Sequence, residues 1–177
     1  MEEKKYKIGF IQGVFDLFHV GHLNLLKKAK QNCETLIVGV NSDELVQEYK
    51  NKTPMINYDE RAEIVKAIKY VDEVVQMNDR DKIVAAKKYG FDVLFMGDDW
   101  KGTDFYNQME EELKKEGVDI VYFPYTKSIS STIIRDKLLK IVLEVTEESD
   151  QGKAGQKVKQ VPNWMKEKKD ENSNDRT

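Results

Sequence analysis

Both histidines of the chain fall within one turn of sequence, in Gly13-Val14-Phe15-Asp16-Leu17-Phe18-His19-Val20-Gly21-His22. An apolar run, Ile8 to Ile11, precedes this stretch and reads as a strand. Leu23, Leu26 and Ala29 follow at helical spacing. The pair therefore belongs at a helix N-terminus beside the carboxyl end of a strand. Backbone N–H groups and the helix dipole favour an anion at such a place, and Gly21 would let a phosphate come close to the backbone. Imidazoles there can donate hydrogen bonds to phosphate oxygens as negative charge grows on them. Capping by one histidine and packing by the other is the plainer reading, but it does not explain why the two share one turn. Asp16 can orient a histidine, hold a metal-bound water or cap the turn.

A second group has the same character. Ser130, Ser131 and Thr132 precede an apolar helical pattern at Ile133, Ile134, Leu138 and Ile141, where capping hydroxyls belong. The same hydroxyls and N–H groups suit phosphate oxygens. Arg135, one turn in, can reach back as a charge-assisted donor. Lys50 and Lys52 occupy a polar stretch ending at Pro54, and such pairs are commonly only solvated surface. Gly97-Asp98-Asp99-Trp100 follows another apolar run, and its carboxylates suit a metal, a hydroxylated ligand or a plain turn.

Elements that place these residues at one edge are legible from periodicity. Short, continuous apolar runs recur at Ile8–Ile11, Leu36–Val40, Val71–Val75, Val93–Met96 and Val118–Phe123, as in strands buried on both faces. Helical patterns lie between them. Strand alternating with helix predicts an α/β fold with a doubly wound, parallel five-stranded sheet and helices on both faces. Ligands gather beyond the carboxyl ends of such strands. We place one domain at residues 1–145 and a disordered polar tail at 146–177, in which Trp164 marks a short docking element at most.

Composition narrows the classes. With 29 Lys and Arg against 32 Asp and Glu, there is no basic field for nucleic acid or an anionic membrane. Cys33 is the single cysteine, so an intrachain disulfide and a multi-cysteine zinc site are excluded. No apolar run is long enough to span a bilayer. A reducing cytoplasm is the expected location.

The stretch GVFDLFHVGH resembles the HxGH signature of the nucleotidyltransferase superfamily, in the form typical of cytidylyltransferases. Tyr70-Val71-Asp72-Glu73-Val74, the GDDW element and Ile129-Ser130-Ser131-Thr132 agree with it in order, and GDDW is most similar to bacterial glycerol-3-phosphate cytidylyltransferases. The resemblance covers roughly residues 6 to 140 and implies a Rossmann-like sheet. It also implies attack of a substrate phosphate on the α-phosphate of CTP, giving a CDP-alcohol and pyrophosphate, with glycerol 3-phosphate as the leading acceptor. On the matching positions, His19, His22 and Lys50 are catalytic. Val14, Phe15, Lys52, Tyr125, Ile129, Ser130, Ser131, Thr132 and Arg135, with the two histidines, bind nucleotide. Asp16, Lys50, Lys82, Asp99 and Trp100 meet the acceptor. Mg²⁺ is held mainly by the nucleotide phosphates with no dedicated protein ligands, and a homodimer is expected.

The last motif departs from the family's Arg-Thr-Glu-Gly-Ile-Ser-Thr. Tyr125 replaces the arginine, Lys127 the acid and Ser128 the glycine. Tyr125 can stack on a base but cannot neutralise phosphate, so Lys127 or Arg135 must supply that charge. The string ISSTIIR is closer to nicotinate-mononucleotide adenylyltransferases. Three readings therefore stand: a cytidylyltransferase acting on glycerol 3-phosphate or another phosphoalcohol, such as phosphocholine or phosphoethanolamine; an adenylyltransferase of the same superfamily; and a silent nucleotide-binding module.

Overall fold

The computed structural model describes residues 4–98, 101–124, 126 and 128–152, with side chains described through residue 143. The chain divides into two compact units, residues 1–131 and residues 132–177.

Five strands, β1 (Tyr6–Gly13), β2 (Cys33–Asn41), β3 (Glu73–Met77), β4 (Val93–Gly97) and β5 (Asp119–Phe123), form one all-parallel sheet in the order β3-β2-β1-β4-β5. The expected fold class is the observed one. β1 is central because it is apolar on both faces: Phe10 and Ile11 are 0% and 1% exposed. Five helices belong to the first unit: α1 (Val20–Asn32), α2 (Asp43–Lys50), α3 (Tyr58–Lys66), α4 (Lys82–Tyr89) and α5 (Asp104–Lys115). Ile11, Val38 and Phe95 pack with Leu26 of α1 and Val65 of α3. Phe10, Ile37 and Leu94 pack with Leu45 of α2, Ala85 and Ala86 of α4 and Leu113 of α5 on the other face. Each fully buried large apolar side chain stabilises by about 1.5–3 kcal/mol, so two such layers hold the strand ends rigidly under the site.

Helix starts follow local chemistry. Ser42, Asn57 and Asp81 cap α2, α3 and α4 through side-chain oxygens that accept backbone N–H groups. No helical repeat marks α2 in the sequence, because its core-facing residues Leu45, Val46 and Tyr49 span little more than one turn. β3 starts at Glu73 rather than Val71. The Val71 N–H closes a turn onto the Ile68 carbonyl, and Asp72 bonds Leu36 through both backbone and carboxylate before pairing begins.

In the second unit the helix α6 (Ser131–Gly152, its first residue still in the first unit) continues through the expected boundary at residue 145. Residues 153–177, including Trp164, lie outside the described residues.

Candidate active site

The turn leaving β1 is strained. Phe15 and Leu17 adopt φ of 56° and 49°, a region that costs a bulky non-glycine residue about 1–3 kcal/mol. Buried contacts hold it there. The Phe15 ring is 3% exposed. The two carboxylate oxygens of Asp16 accept from the Met55 and Ile56 N–H groups, each at 3.0 Å. Arg61 donates to the Val14 carbonyl, and Ser131 Oγ donates to the Asp16 carbonyl at 3.0 Å. This one turn therefore collects the loop before α3 and the start of α6. Asp16 works as a clamp on that loop; its placement favours the turn-capping reading over the acceptor contact expected for it.

Arg61 is fully buried. It also donates to the Ile56 carbonyl at 2.9 Å, the Asn41 carbonyl at 2.8 Å and Asp43 at 2.7 Å. With four of its five N–H donors on protein and the side chain fully buried, it structures the loop and does not meet phosphate.

His19 is the N-cap of α1, and a reciprocal cap joins the two histidines. His19 Nδ1 accepts the Gly21 N–H at 3.0 Å, while His22 Nδ1 accepts the His19 N–H at 3.4 Å. A ring nitrogen that accepts an N–H cannot carry a proton, so each neutral imidazole is the Nε2–H tautomer. Both rings thus present a donor away from the backbone. The rings stack with centroids 3.9 Å apart, and Phe15 and Phe18 flank His22 at 5.3 and 5.4 Å. Burial, aided by repulsion from His19 and opposed by Asp16, pushes the His22 pKa down to about 4. Burial lowers His19 as well. Glycine at position 21 is required by the His19 ring: a Cβ there would lie 2.8 Å from Cε1, and 3.6 Å from Cγ2 of Ile129. The open space that a phosphate would need above Gly21 is filled by that imidazole.

A cleft of about 230 Å³ opens beside these rings, lined by His19, Gly21, His22, Asn24, Leu25, Lys28, Gly97, Phe123, Pro124, Thr126 and Ser131. It joins the carboxyl ends of β4 and β5 to a half-buried face of α1 and to Ser131. His19, His22 and Ser131 were anticipated; Asn24, Leu25, Lys28, Phe123 and Thr126 were not. Their signal was the Gly21, Leu25, Lys28 spacing, which puts one helix face on the cleft. Ser130 is half-buried beside Ser131. Thr132 and Arg135 lie in the first turn of α6, within the second unit.

Across β1 lies a polar chain. Lys82 Nζ donates to Gln12 Oε1 at 2.6 Å and to the Arg80 carbonyl at 3.1 Å. Gln12 Nε2 donates to Asn41 Oδ1 and to the Asp79 carbonyl, both at 2.8 Å, and Asn41 donates to Tyr49 Oη at 3.2 Å. Burial pushes the Lys82 ammonium down to about 8, with Arg80 adding to the shift and Asp79 and Asp81 opposing it. Lys50 ends α2 with Nζ 5.5 Å from the Tyr49 ring centroid, and Lys52 is exposed in the loop that Asp16 pins. The expected site residues Asp99, Trp100 and Tyr125, with Lys127, lie outside the described residues. Among the described residues no cluster of three or more His, Cys, Asp or Glu is placed to hold a metal ion, and no helix is long and apolar enough to cross a membrane.

Residues 10–137 match the family model described as cytidylyltransferase-like. An FAD synthase of Thermococcus kodakarensis is 36% identical over 153 residues, covering 83% of this chain and 97% of that protein. A glycerol-3-phosphate cytidylyltransferase of Bacillus subtilis is 36% identical over 127 residues, covering 71% and 92%. Among solved structures, a lipopolysaccharide core biosynthesis protein of Thermoplasma volcanium has a TM-score of 0.58 at 22% identity, covering 68% of this chain and 97% of that one, and so shares the fold.

Proposed function

The chain belongs to the cytidylyltransferase-like family of transferases, and from that premise we propose that it transfers CMP from CTP to a phosphoalcohol, with glycerol 3-phosphate the first acceptor to test. The observation that carries the proposal is the pair of committed tautomers: two adjacent imidazoles with Nδ1 occupied and Nε2–H free to donate. Such donors are oriented before substrate arrives, which is the condition under which they lower a barrier most.

The reaction needs no protein nucleophile. An oxygen of the acceptor phosphate attacks the α-phosphorus of CTP, the bond from that phosphorus to the bridging oxygen breaks, and pyrophosphate leaves. His19 and His22 donate to oxygens whose charge grows in that step. Because His22 holds no proton on Nδ1 and resists becoming imidazolium, it acts as a neutral donor through Nε2–H, not as a general acid. Ser131 and its neighbours Ile129, Ser130 and Thr132 receive the distal phosphates at a helix start, with Arg135 as the cation. Lys50, Lys52 and Lys82 hold the two anionic substrates against their mutual repulsion. Divalent metal enters as part of the nucleotide substrate, screening its phosphates. Asp16 is already engaged by two N–H groups, which supports holding that metal mainly through phosphate oxygens. A cytoplasmic homodimer completes the proposal, on resemblance alone.

A second reading, adenylyl transfer to a flavin phosphate, is favoured by the likeness to an FAD synthase over 97% of that protein's length. The test is pyrophosphate release with Mg²⁺ and each of CTP and ATP, crossed with glycerol 3-phosphate, phosphocholine, phosphoethanolamine and flavin mononucleotide. Turnover with CTP and a phosphoalcohol is expected. Turnover only with ATP and the flavin moves the chain to the second reading, and no turnover with any pair overturns both.

A further inference from the structure

Lys28 has no part in the chemistry described above, yet its side chain lines the cleft beside the histidines. Its neighbour on α1, Lys30, is occupied by Asp72 and the Glu34 carbonyl. Lys28 instead lies with Nζ 5.9 Å from the Phe123 ring centroid, and among the described residues no carboxylate forms an ion pair with it. The Phe123 ring is itself held in place, stacked on Phe95 at 5.5 Å and 14°. Leu25 and Pro124 make the neighbouring walls apolar, and Gly97 leaves that end without a side chain.

Position along the helix says what could sit there. Lys28 follows His22 by six residues, which is ~9 Å along α1. With an α-phosphate at the histidines, one ribose separates it from the Lys28 end. Apolar walls and one fixed aromatic face beside the Lys28 ammonium suit a flat heteroaromatic ring, not a second phosphate. An ammonium has three donors and no acceptor. Cytosine and uracil offer it an exocyclic carbonyl oxygen; adenine offers only ring nitrogens beside an amino donor.

We infer that Phe123 and Lys28 form the base end of the nucleotide site, Phe123 as the stacking wall and Lys28 as a specificity residue that donates to a pyrimidine carbonyl and favours CTP over ATP. This rests on the cytidylyl-transfer reading. It also answers the departure at Tyr125, because base choice is then made from α1.

The test is calorimetric titration of the full chain and of Lys28→Met and Lys28→Arg with MgCTP, MgUTP and MgATP, together with steady-state kinetics for CTP. Methionine keeps the stem and the helix propensity, and an unchanged melting temperature checks the fold. Loss of one charge-assisted bond should weaken CTP and UTP about tenfold while ATP moves less than threefold. The KM for CTP should rise with kcat nearly constant, and Lys28→Arg should recover most of the loss. A CTP-preferring wild type whose CTP-to-ATP ratio is unmoved in Lys28→Met overturns this inference alone. A wild type that prefers ATP overturns it together with the cytidylyl reading.

Discussion

Acidification should destabilise this protein through His22, by an amount that follows from its surroundings. Its pKa falls from 6.5 to about 4 on folding because burial and the neighbouring His19 penalise the cation. The unfolded chain therefore binds a proton more readily than the native one, and stability is lost as pH falls through 6.5 towards 4. Between pH 7.5 and pH 5 the unfolded imidazole becomes almost fully charged while the folded one stays almost neutral. The linkage relation gives a loss of about 2 kcal/mol over that interval from this residue, a sizeable part of the 5–15 kcal/mol typical of a domain. Lowering of His19 acts in the same direction. Urea unfolding at both pH values, in wild type and His22→Gln, isolates the effect: the variant should lose about 2 kcal/mol less on acidification. Equal losses in the two proteins would refute the claim that His22 is held neutral, and with it the assignment of His22 as a neutral donor.

Two further outcomes follow from groups the structure engages fully. Arg61→Met leaves the Val14, Asn41 and Ile56 carbonyls without their donor and should lower unfolding free energy by about 3–5 kcal/mol; a loss under 1 kcal/mol in the same urea assay would show that water replaces the guanidinium freely. Lys82 is charged only below about 8, so if it holds acceptor phosphate the acceptor KM should rise about tenfold from pH 7 to pH 9, and the profile should be flat in Lys82→Met.

The sheet was legible because its strands are buried on both faces, so each appears as an unbroken apolar run, and Phe10 and Ile11 are typical of what that reveals. The histidines were legible because two scarce residues with one chemistry stand three positions apart. The role of Arg61 was not legible, since the carbonyls it satisfies are backbone atoms that carry no residue signature. Asp16 likewise offers the same carboxylate to a metal or to two amides, and only the loop's return past it decides. Lys28 was missed for the opposite reason. One lysine among several on α1 is unmarked until the β5 end brings Phe123 across from it.

The strained turn also sets an order in time. Its residues leave the ribosome early, between β1 and α1, but the groups that hold it come later: Met55, Ile56 and Arg61 some 40 residues on, and Ser131 after 115. A growing chain that has made β1, α1 and β2 can pair those strands and pack Phe15 beside His22, yet it still lacks the partners of Asp16 and of the Val14 carbonyl. Contacts of such wide sequence separation form after local ones. The turn is thus completed only once Ser131 has been made, and a chain that stops short of it carries both histidines without the full set of contacts around them.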